Sequence, residues 1–284
     1  MKAYVFPGQG SQFIGMGEEL FPQYPELTAE ACDILGYDIQ ALCLTDAEGQ
    51  LNFTKYTQPA LFVVNHLSYL AYAKENGEPD VVAGHSLGEF NALTAAGVFD
   101  FATALKIVQK RAALMSEVSG GGMAAVVGLN EAQVREILEN ANVDNVYPAN
   151  LNTEKQIVIS GEKQALMSLE SVFTEAGARF VPLTVSGAFH TPYMAKAGEE
   201  LRAFASQFTF GEPQMKVIAN YTAKEYTHEN VLSNMISQIS SPVKWDESVH
   251  YMLHVLKCDE ITQVGVGTVL KPMIVKIRRE TPRF

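Results

Sequence analysis

Val81-Val82-Ala83-Gly84-His85-Ser86-Leu87-Gly88-Glu89 reads as a short apolar strand running straight into the pattern G-x-S-x-G. A serine held on a sharp turn between a strand and a helix has its hydroxyl pushed out of the fold, within reach of a base and of a carbonyl carbon. Small residues stand two before and two after it because the turn is too tight for side chains there. This stretch makes acyl chemistry on Ser86 the leading expectation. It also predicts an α/β layer arrangement around that turn.

The flanking sequence repeats the strand-then-helix pattern. Ala3-Tyr4-Val5-Phe6 reads as a first buried strand, followed by the glycine-rich loop Pro7-Gly8-Gln9-Gly10-Ser11-Gln12. Helical patterning then runs through about residue 75. Thr57-Gln58-Pro59 is its start signal, and Val63, Leu67 and Leu70 lie on one face. A helix from Asp100 to about Met115 carries Leu105 and Val108 on its apolar side. The repetition predicts a mostly parallel sheet. At Ser119-Gly120-Gly121-Gly122 the pattern changes, as at a hinge or boundary. Beyond it come a strand (Met123 to Val127), a helix capped by Asn130, strands at Asn145 to Asn150 and Gln156 to Ser160, a helix from Glu162 to Ala176, and a strand from Ala178 to Val185. That β-α-β-β-α-β order is ferredoxin-like. After Ser186-Gly187 the first pattern resumes, with strands at Val217 to Asn220 and Ile261 to Val264. The expected fold is therefore α/β: a large α/β-hydrolase-like domain with a parallel sheet, residues 1–122 and 189–284, plus a small inserted ferredoxin-like domain, residues 123–188. The active site is expected in the cleft between them.

Composition limits the rest. The chain has 284 residues, 47% apolar and only 19% charged, which suits a well-buried globular enzyme. A net charge of −11 tells against nucleic acid as a partner. The cysteines number three, Cys32, Cys43 and Cys258, with no metal-like spacing, which fits a reduced compartment. No cleavable signal precedes the first strand, and no apolar run reaches the ~18 residues that a membrane span needs. A cytoplasmic protein with no membrane partner is expected.

Ser86 needs a base, and six histidines are available. His85 adjoins the nucleophile, so it points away or lines the site. His66 falls in a helical pattern and His228 in a polar loop. His250 and His254 are spaced i, i+4, which could serve a metal. No further ligand is apparent, so a solvated helix face is expected and no metal. His190 follows a strand and the Ser186-Gly187 corner, where the chain re-enters the larger domain, and is the candidate base. No acid stands out to orient it, and a backbone or amide carbonyl could do so instead. Gln9 lies between glycines that allow close approach to a ligand. Arg111 on its helix is either a solvated surface arginine, the commoner fate, or a guanidinium fork for a substrate carboxylate.

Taken together, Phe6 to Gln12, Gly84 to Glu89, Lys110-Arg111 with Leu114-Met115, Ala188-Phe189-His190 and Gly265 to Leu270 resemble, in this order, the malonyl-CoA:acyl carrier protein transacylases. Thr57-Gln58-Pro59-Ala60-Leu61 and Ala96 to Phe101 resemble most the free-standing, trans-acting acyltransferases of bacterial polyketide synthases. The resemblance implies that Ser86 attacks a malonyl thioester and that His190 takes and returns the proton. It further implies an oxyanion hole from the backbone N–H groups of Gln9 and Leu87, and Arg111 on the malonyl carboxylate. It makes the Gln238 main-chain carbonyl the orienter of His190. Phe189, with His85, would set selectivity, the ring leaving little room for an α-methyl group. Thr191-Pro192, Val266 and Lys271-Pro272 depart from the pattern common in that family.

The expectation is a transferase that carries malonyl from malonyl-CoA to the phosphopantetheine of a separate acyl carrier protein, as a monomer with no bound cofactor. Carrier proteins are usually acidic, as is this chain. The run Lys271, Lys276, Arg278, Arg279 and Arg283 is the candidate basic docking patch, although basic residues also suit a helix C-terminus. The rivals are an acyl hydrolase of the same fold that clears carriers, a transferase for another acyl unit, and a non-catalytic docking protein.

Overall fold

The computed structural model describes residues 1–185 and 187–280; Ser186 and Arg283 of the sequence expectations lie outside them. The chain opens with β1 (Lys2–Phe6), α1 (Pro25–Leu35), α2 (Ile39–Leu44), α3 (Thr54–Asn76), β2 (Val81–Gly84), α4 (Gly88–Ala95) and α5 (Phe101–Glu117). It continues through β3 (Gly121–Val127), α6 (Glu131–Asn140), β4 (Val146–Thr153), β5 (Gln156–Glu162), α7 (Lys163–Ser168), α8 (Glu170–Glu175) and β6 (Arg179–Pro182). It closes with α9 (Ala195–Ala205), β7 (Lys216–Ile218), α10 (Val231–Ser237), α11 (Trp245–His250), β8 (Glu260–Gln263) and α12 (Leu270–Ile277).

Strands β1, β2, β7 and β8 form a four-stranded parallel sheet in the order β7-β2-β1-β8. The central pair, β1 and β2, is apolar nearly throughout because both faces are covered, whereas the edge strand β8 is polar and part-exposed. Tyr4, Phe6 and Val82 enter a core shared with α3, α4 and α5. Ala3, Val5, Val81 and Ala83 enter another, against Trp245, Val249, Ile274 and Ile277 of α11 and α12. The alternation of side chains along a strand thus builds two cores on one sheet. Because the strands are parallel, their carboxyl ends share one edge of the sheet, the usual ligand edge of such folds. Phe6 pairs with Gly84 there. The Gly8–Gln9 loop and the Ser86 turn therefore start side by side.

Strands β3 to β6 form a separate antiparallel sheet in the order β4-β5-β3-β6, the expected ferredoxin-like arrangement. Val134 and Leu138 of α6, Leu166 of α7 and Phe173 of α8 pack on it. Two details differ from the sequence expectation here. The helix expected from Glu162 to Ala176 is broken at Leu169 into α7 and α8. Gly121 and Gly122 are not a hinge but part of β3. A Cβ on Gly121 would lie 2.3 Å from the Ala188 nitrogen, so glycine is needed where the entering and leaving strands touch. The small sheet is tied through β4 to the segment that leads into α11: Leu151 N–H donates to Val243 O, and Val243 N–H to Ala149 O, both at 2.9 Å.

Helix α3 starts at Thr54, not at the Thr57-Gln58-Pro59 signal, and keeps Pro59 inside it. A proline there ordinarily costs about 3 kcal/mol. Packing outweighs it, since every residue from Thr57 to Leu67 is buried. Among the described residues no helix is long and apolar enough to cross a membrane.

Candidate active site

Ser86 sits between β2 and α4 with φ of +51°, in the left-handed region that an L-residue enters only when its surroundings impose it. The imposition is visible. A Cβ on Gly84 would lie 1.9 Å from the Gly88 carbonyl carbon, and one on Gly88 would lie 2.1 Å from Phe6 O. Asn220, just beyond β7, grips both sides of the turn. Its Oδ1 accepts from Ser86 N–H at 2.7 Å, and its Nδ2 donates to Gly84 O at 2.6 Å. The sequence marked Asn220 only as a strand end.

His190 lies on a turn pinned by Thr191 Oγ1 donating to Ala188 O at 2.6 Å, with φ of +60°. Its Nε2 stands 2.8 Å from Ser86 Oγ, and its Nδ1 stands 2.9 Å from the Gln238 carbonyl oxygen. A carbonyl can only accept, so the proton is assigned to Nδ1 and the Nε2 lone pair faces the serine. Burial first, then the charge of Arg111, pushes the imidazole down to about 3. It is therefore neutral, and free to accept a proton, across the neutral range.

The structure corrects the surface alternative for Arg111, which is 1% exposed. Its place on α5, three and four residues after Val108 and Ile107, is on the buried stripe of that helix. Arg111 Nη2 donates to Ser86 Oγ at 3.1 Å and to Gln238 Oε1 at 2.8 Å, and Nη1 donates to Gln58 Oε1 at 2.5 Å. The guanidinium lies over the Phe90 ring, 5.3 Å from its centroid. Among the described residues its Nε meets no acceptor. Burial pushes it down to about 10, with Glu89 opposing, so it stays charged at neutral pH.

The Gly8–Gln9 turn packs against the serine turn: a Cβ on Gly8 would lie 2.3 Å from His85 O and 3.6 Å from Leu87 N. Asn65 fixes that loop, donating from Nδ2 to Pro7 O at 3.0 Å while its Oδ1 accepts from Val266 N–H at 2.9 Å. Among the described residues the N–H groups of Gln9 and Leu87 meet no acceptor. Two neighbouring backbone donors without partners can stabilise an oxyanion.

A cavity of about 90 Å³ opens on Ser86, His190, Arg111, Gln58, Phe189 and Met115. A second of about 400 Å³ shares Gln9, His85, Asn150, Leu183 and Val185 with it. Together they form an inner acyl-sized space and an outer approach lined by β3 to β5 on one side and by the Gly8–Gln12 loop and the start of α12 on the other. Phe189 is buried, and its ring lies where a Gly187 side chain would be, 2.2 Å from the position of a Cβ. His85 Nε2 is 2.8 Å from Asn152 Oδ1, and its ring stands edge-on to Trp245. Burial lowers its proton affinity.

The remaining histidines stand apart. His66 is buried in α3 beside Phe62 and is pushed down to about 4 by burial. His228 begins a short polar turn. His250 overturns the solvated-face expectation, being fully buried between α11 and α12. Its Nε2 lies 3.6 Å from Asp246 Oδ1 and 3.8 Å from Glu280 Oε2. Among the described residues these three are the group whose ligand atoms come near enough to one another for a metal ion, all within 4.8 Å. The sequence hid the third member, because Glu280 comes from beyond α12.

Residues 3–283 match the acyl transferase domain family. A polyketide biosynthesis malonyl CoA-acyl carrier protein transacylase of Bacillus subtilis is 49% identical, over 99% of this chain and 98% of that one. The crystal structure of a malonyl CoA-acyl carrier protein transacylase from Burkholderia pseudomallei superposes with a TM-score of 0.97 at 43% identity, over 99% of each chain. A solved type II PKS acyl-carrier protein in complex with its malonyl-transacylase is also similar, with a TM-score of 0.92 and 35% identity over 97% of this chain and 92% of that one.

Proposed function

We propose, for a chain that belongs to the acyl transferase domain family, that it moves malonyl from malonyl-CoA to the phosphopantetheine thiol of a separate acyl carrier protein, supplying extender units in trans to a polyketide synthase or to fatty acid synthesis. Ser86 Oγ attacks the thioester carbonyl while His190 Nε2 takes its proton, and Gln238 O keeps the imidazole in the receiving tautomer. The oxyanion meets the N–H groups of Gln9 and Leu87, each worth about 2.7–4 kcal/mol. Collapse of the tetrahedral intermediate breaks the C–S bond, and His190 returns the proton to the departing CoA sulfur. The carrier thiol then gives its proton to His190 and attacks malonyl-Ser86; as the C–O bond breaks, His190 passes that proton to the departing Oγ, which restores Ser86. No bound cofactor takes part, and a single copy of the chain, in the cytoplasm, holds every group used. The chain before β3 and from residue 189 on acts as the catalytic domain, and the segment from β3, which takes in Gly121 and Gly122, to residue 188 acts as the small one, with the acyl group between them.

The observation that carries this reading is Arg111. A fully buried guanidinium 3.1 Å from the nucleophile, with one N–H unmet, suits an acyl group that brings its own carboxylate. A hydrolase of plain acyl chains has no use for it. The test is to mix the protein with malonyl-, methylmalonyl- and acetyl-CoA and measure the mass of the intact chain. A malonyl adduct is expected; its absence overturns the proposal.

Phe189 and His85, both lining the inner cavity, exclude an α-methyl group by bulk. Phe189→Leu is expected to raise kcat/KM for methylmalonyl-CoA relative to malonyl-CoA by about tenfold. An unchanged ratio, measured by acylation rates, removes Phe189 from the selectivity role. For carrier docking, Lys271, Lys276 and Arg279 on and beyond α12 line a cavity of about 790 Å³ together with Lys155 from the β4–β5 turn, four cations against the carboxylates of Glu154 and Glu280. Lys155 was not in the sequence-derived run. Reversing charge at Arg278 and Arg279 is expected to raise KM for the carrier about tenfold. A carrier titration with unmoved KM would dismiss the patch.

A further inference from the structure

Glu89 follows the serine turn directly and is fully buried in the first turn of α4, yet no step above uses it. Its Oε1 accepts from the Tyr226 hydroxyl and, at 3.3 Å, from Asn220 N–H. Its Oε2 accepts from Gln238 Nε2 at 2.7 Å. An ionised carboxylate accepts and never donates, so Gln238 has to turn its NH₂ toward Glu89. The same nitrogen donates to Ser86 O at 2.7 Å. Gln238 Oε1 is then left facing Arg111 Nη2 at 2.8 Å, while its backbone carbonyl holds His190 Nδ1 at 2.9 Å. One glutamine meets Ser86, Arg111 and His190, and the carboxylate behind it is the charged member of the three partners, with Ser86 O and Arg111 Nη2, that set which way its amide lies.

The charges are coupled as well, through the burial cost of the cation. The groups touching the Arg111 guanidinium, Gln58 Oε1, Gln238 Oε1 and Ser86 Oγ, are all neutral. Glu89, one amide away, supplies the balancing charge for a cation that is otherwise desolvated. The acyl carboxylate that Arg111 awaits would approach from the cavity side, with Glu89 behind.

We propose that Glu89 is a positioning residue: its carboxylate locks the Gln238 amide so that Arg111 stands charged beside Ser86, aimed at the carboxylate of the incoming acyl group. The inference rests on the acyl-transfer reading above. A neutral amide at position 89 replaces a charge-assisted acceptor by a weaker one and has a single oxygen for the donors of Gln238, Tyr226 and Asn220, so the Gln238 amide is held less firmly under the guanidinium. The charged or titratable groups facing Glu89 are Tyr226 and Arg111. Burial pushes the carboxyl up to about 7, while the bonds from Tyr226, Gln238 and Asn220 and the charge of Arg111 oppose it. Preference for malonyl therefore rises with pH as Glu89 ionises.

The experiment measures kcat/KM for malonyl-CoA and acetyl-CoA with the full chain, from about pH 5.5 to about 8.5. In Glu89→Gln the malonyl-to-acetyl ratio is expected to fall at least about tenfold and to lose its rise with pH. In an Arg111→Ala background the same change is expected to alter the ratio by less than about twofold. Tyr226→Phe keeps the shape and removes one donor, which makes Glu89 harder to ionise, so the rise in the ratio moves to higher pH. That variant decides the matter should Glu89→Gln not fold. Equal losses for both acyl groups, or an unmoved pH profile in Tyr226→Phe, overturn the inference alone. A wild-type chain that takes no malonyl overturns the acyl-transfer reading and this inference with it.

Discussion

Ser86→Ala is expected to erase the malonyl adduct from the intact-mass spectrum and to lower transfer to the carrier by at least about 10⁴-fold. Among the described residues no cysteine lines the cavity at Ser86 to take its place, and burial raises the thiols of Cys43 and Cys258. The backbone should not change. Alanine carries the same Cβ through φ of +51°, and the turn is held by Asn220 and the flanking glycines rather than by the hydroxyl. The loss should therefore come without a fall in thermal midpoint of more than a few degrees. A variant that loads the carrier at the wild-type rate would show that Ser86 is not the acyl acceptor.

Arg111→Ala is the second large effect: kcat/KM for malonyl-CoA falls by about 10²–10³, equivalent to roughly 3–4 kcal/mol, while acetyl-CoA improves severalfold. The fall reflects the loss of charge-assisted bonds made in a dry pocket. The gain reflects the room left by the guanidinium and the removal of a desolvated cation next to an apolar acyl group. Parallel acylation kinetics with the two thioesters check both. Unchanged malonyl kinetics would remove Arg111 from the site. Stability carries a separate sign. Glu89 is held at about 7, above the ordinary carboxylate value, chiefly by burial. A raised carboxyl contributes stability below its unfolded value and loses it as pH rises through the folded one. Removing Arg111 takes away an influence that lowers Glu89, so the loss deepens and extends to higher pH. The drop in melting temperature between about pH 5.5 and 8 should be larger in Arg111→Ala than in the wild type.

Local signals made much of this legible. The serine turn needs small residues at 84 and 88 whatever the rest of the fold does, and the β-α-β-β-α-β order is written in consecutive segments. Arg111 shows where such signals conflict. Its position on α5 pointed inward and its residue type pointed outward. Position won, because Gln58, Gln238 and Glu89 wait inside, and none of them is near it in sequence. His250 followed the same course, with Asp246 on its own helix and Glu280 beyond the next. Asn220 and Gln238 could not be weighted from the chain alone. They lie 134 and 152 residues from the serine whose backbone they bind, and only β7 pairing beside β2 brings Asn220 to that turn.

That separation has a consequence for a chain still being made. A nascent polypeptide that has emerged as far as the end of β6 already contains Ser86, Arg111 and the Gln9 loop, but lacks His190, Asn220, Tyr226 and Gln238. The turn has no clamp and the serine no base, and contacts this distant in sequence form late in folding. On the proposed roles of these residues, unfinished or truncated copies are expected to be chemically silent toward thioesters. Reactivity arrives only with the last third of the chain, so that an activated acyl group is taken up by finished molecules and not squandered by fragments.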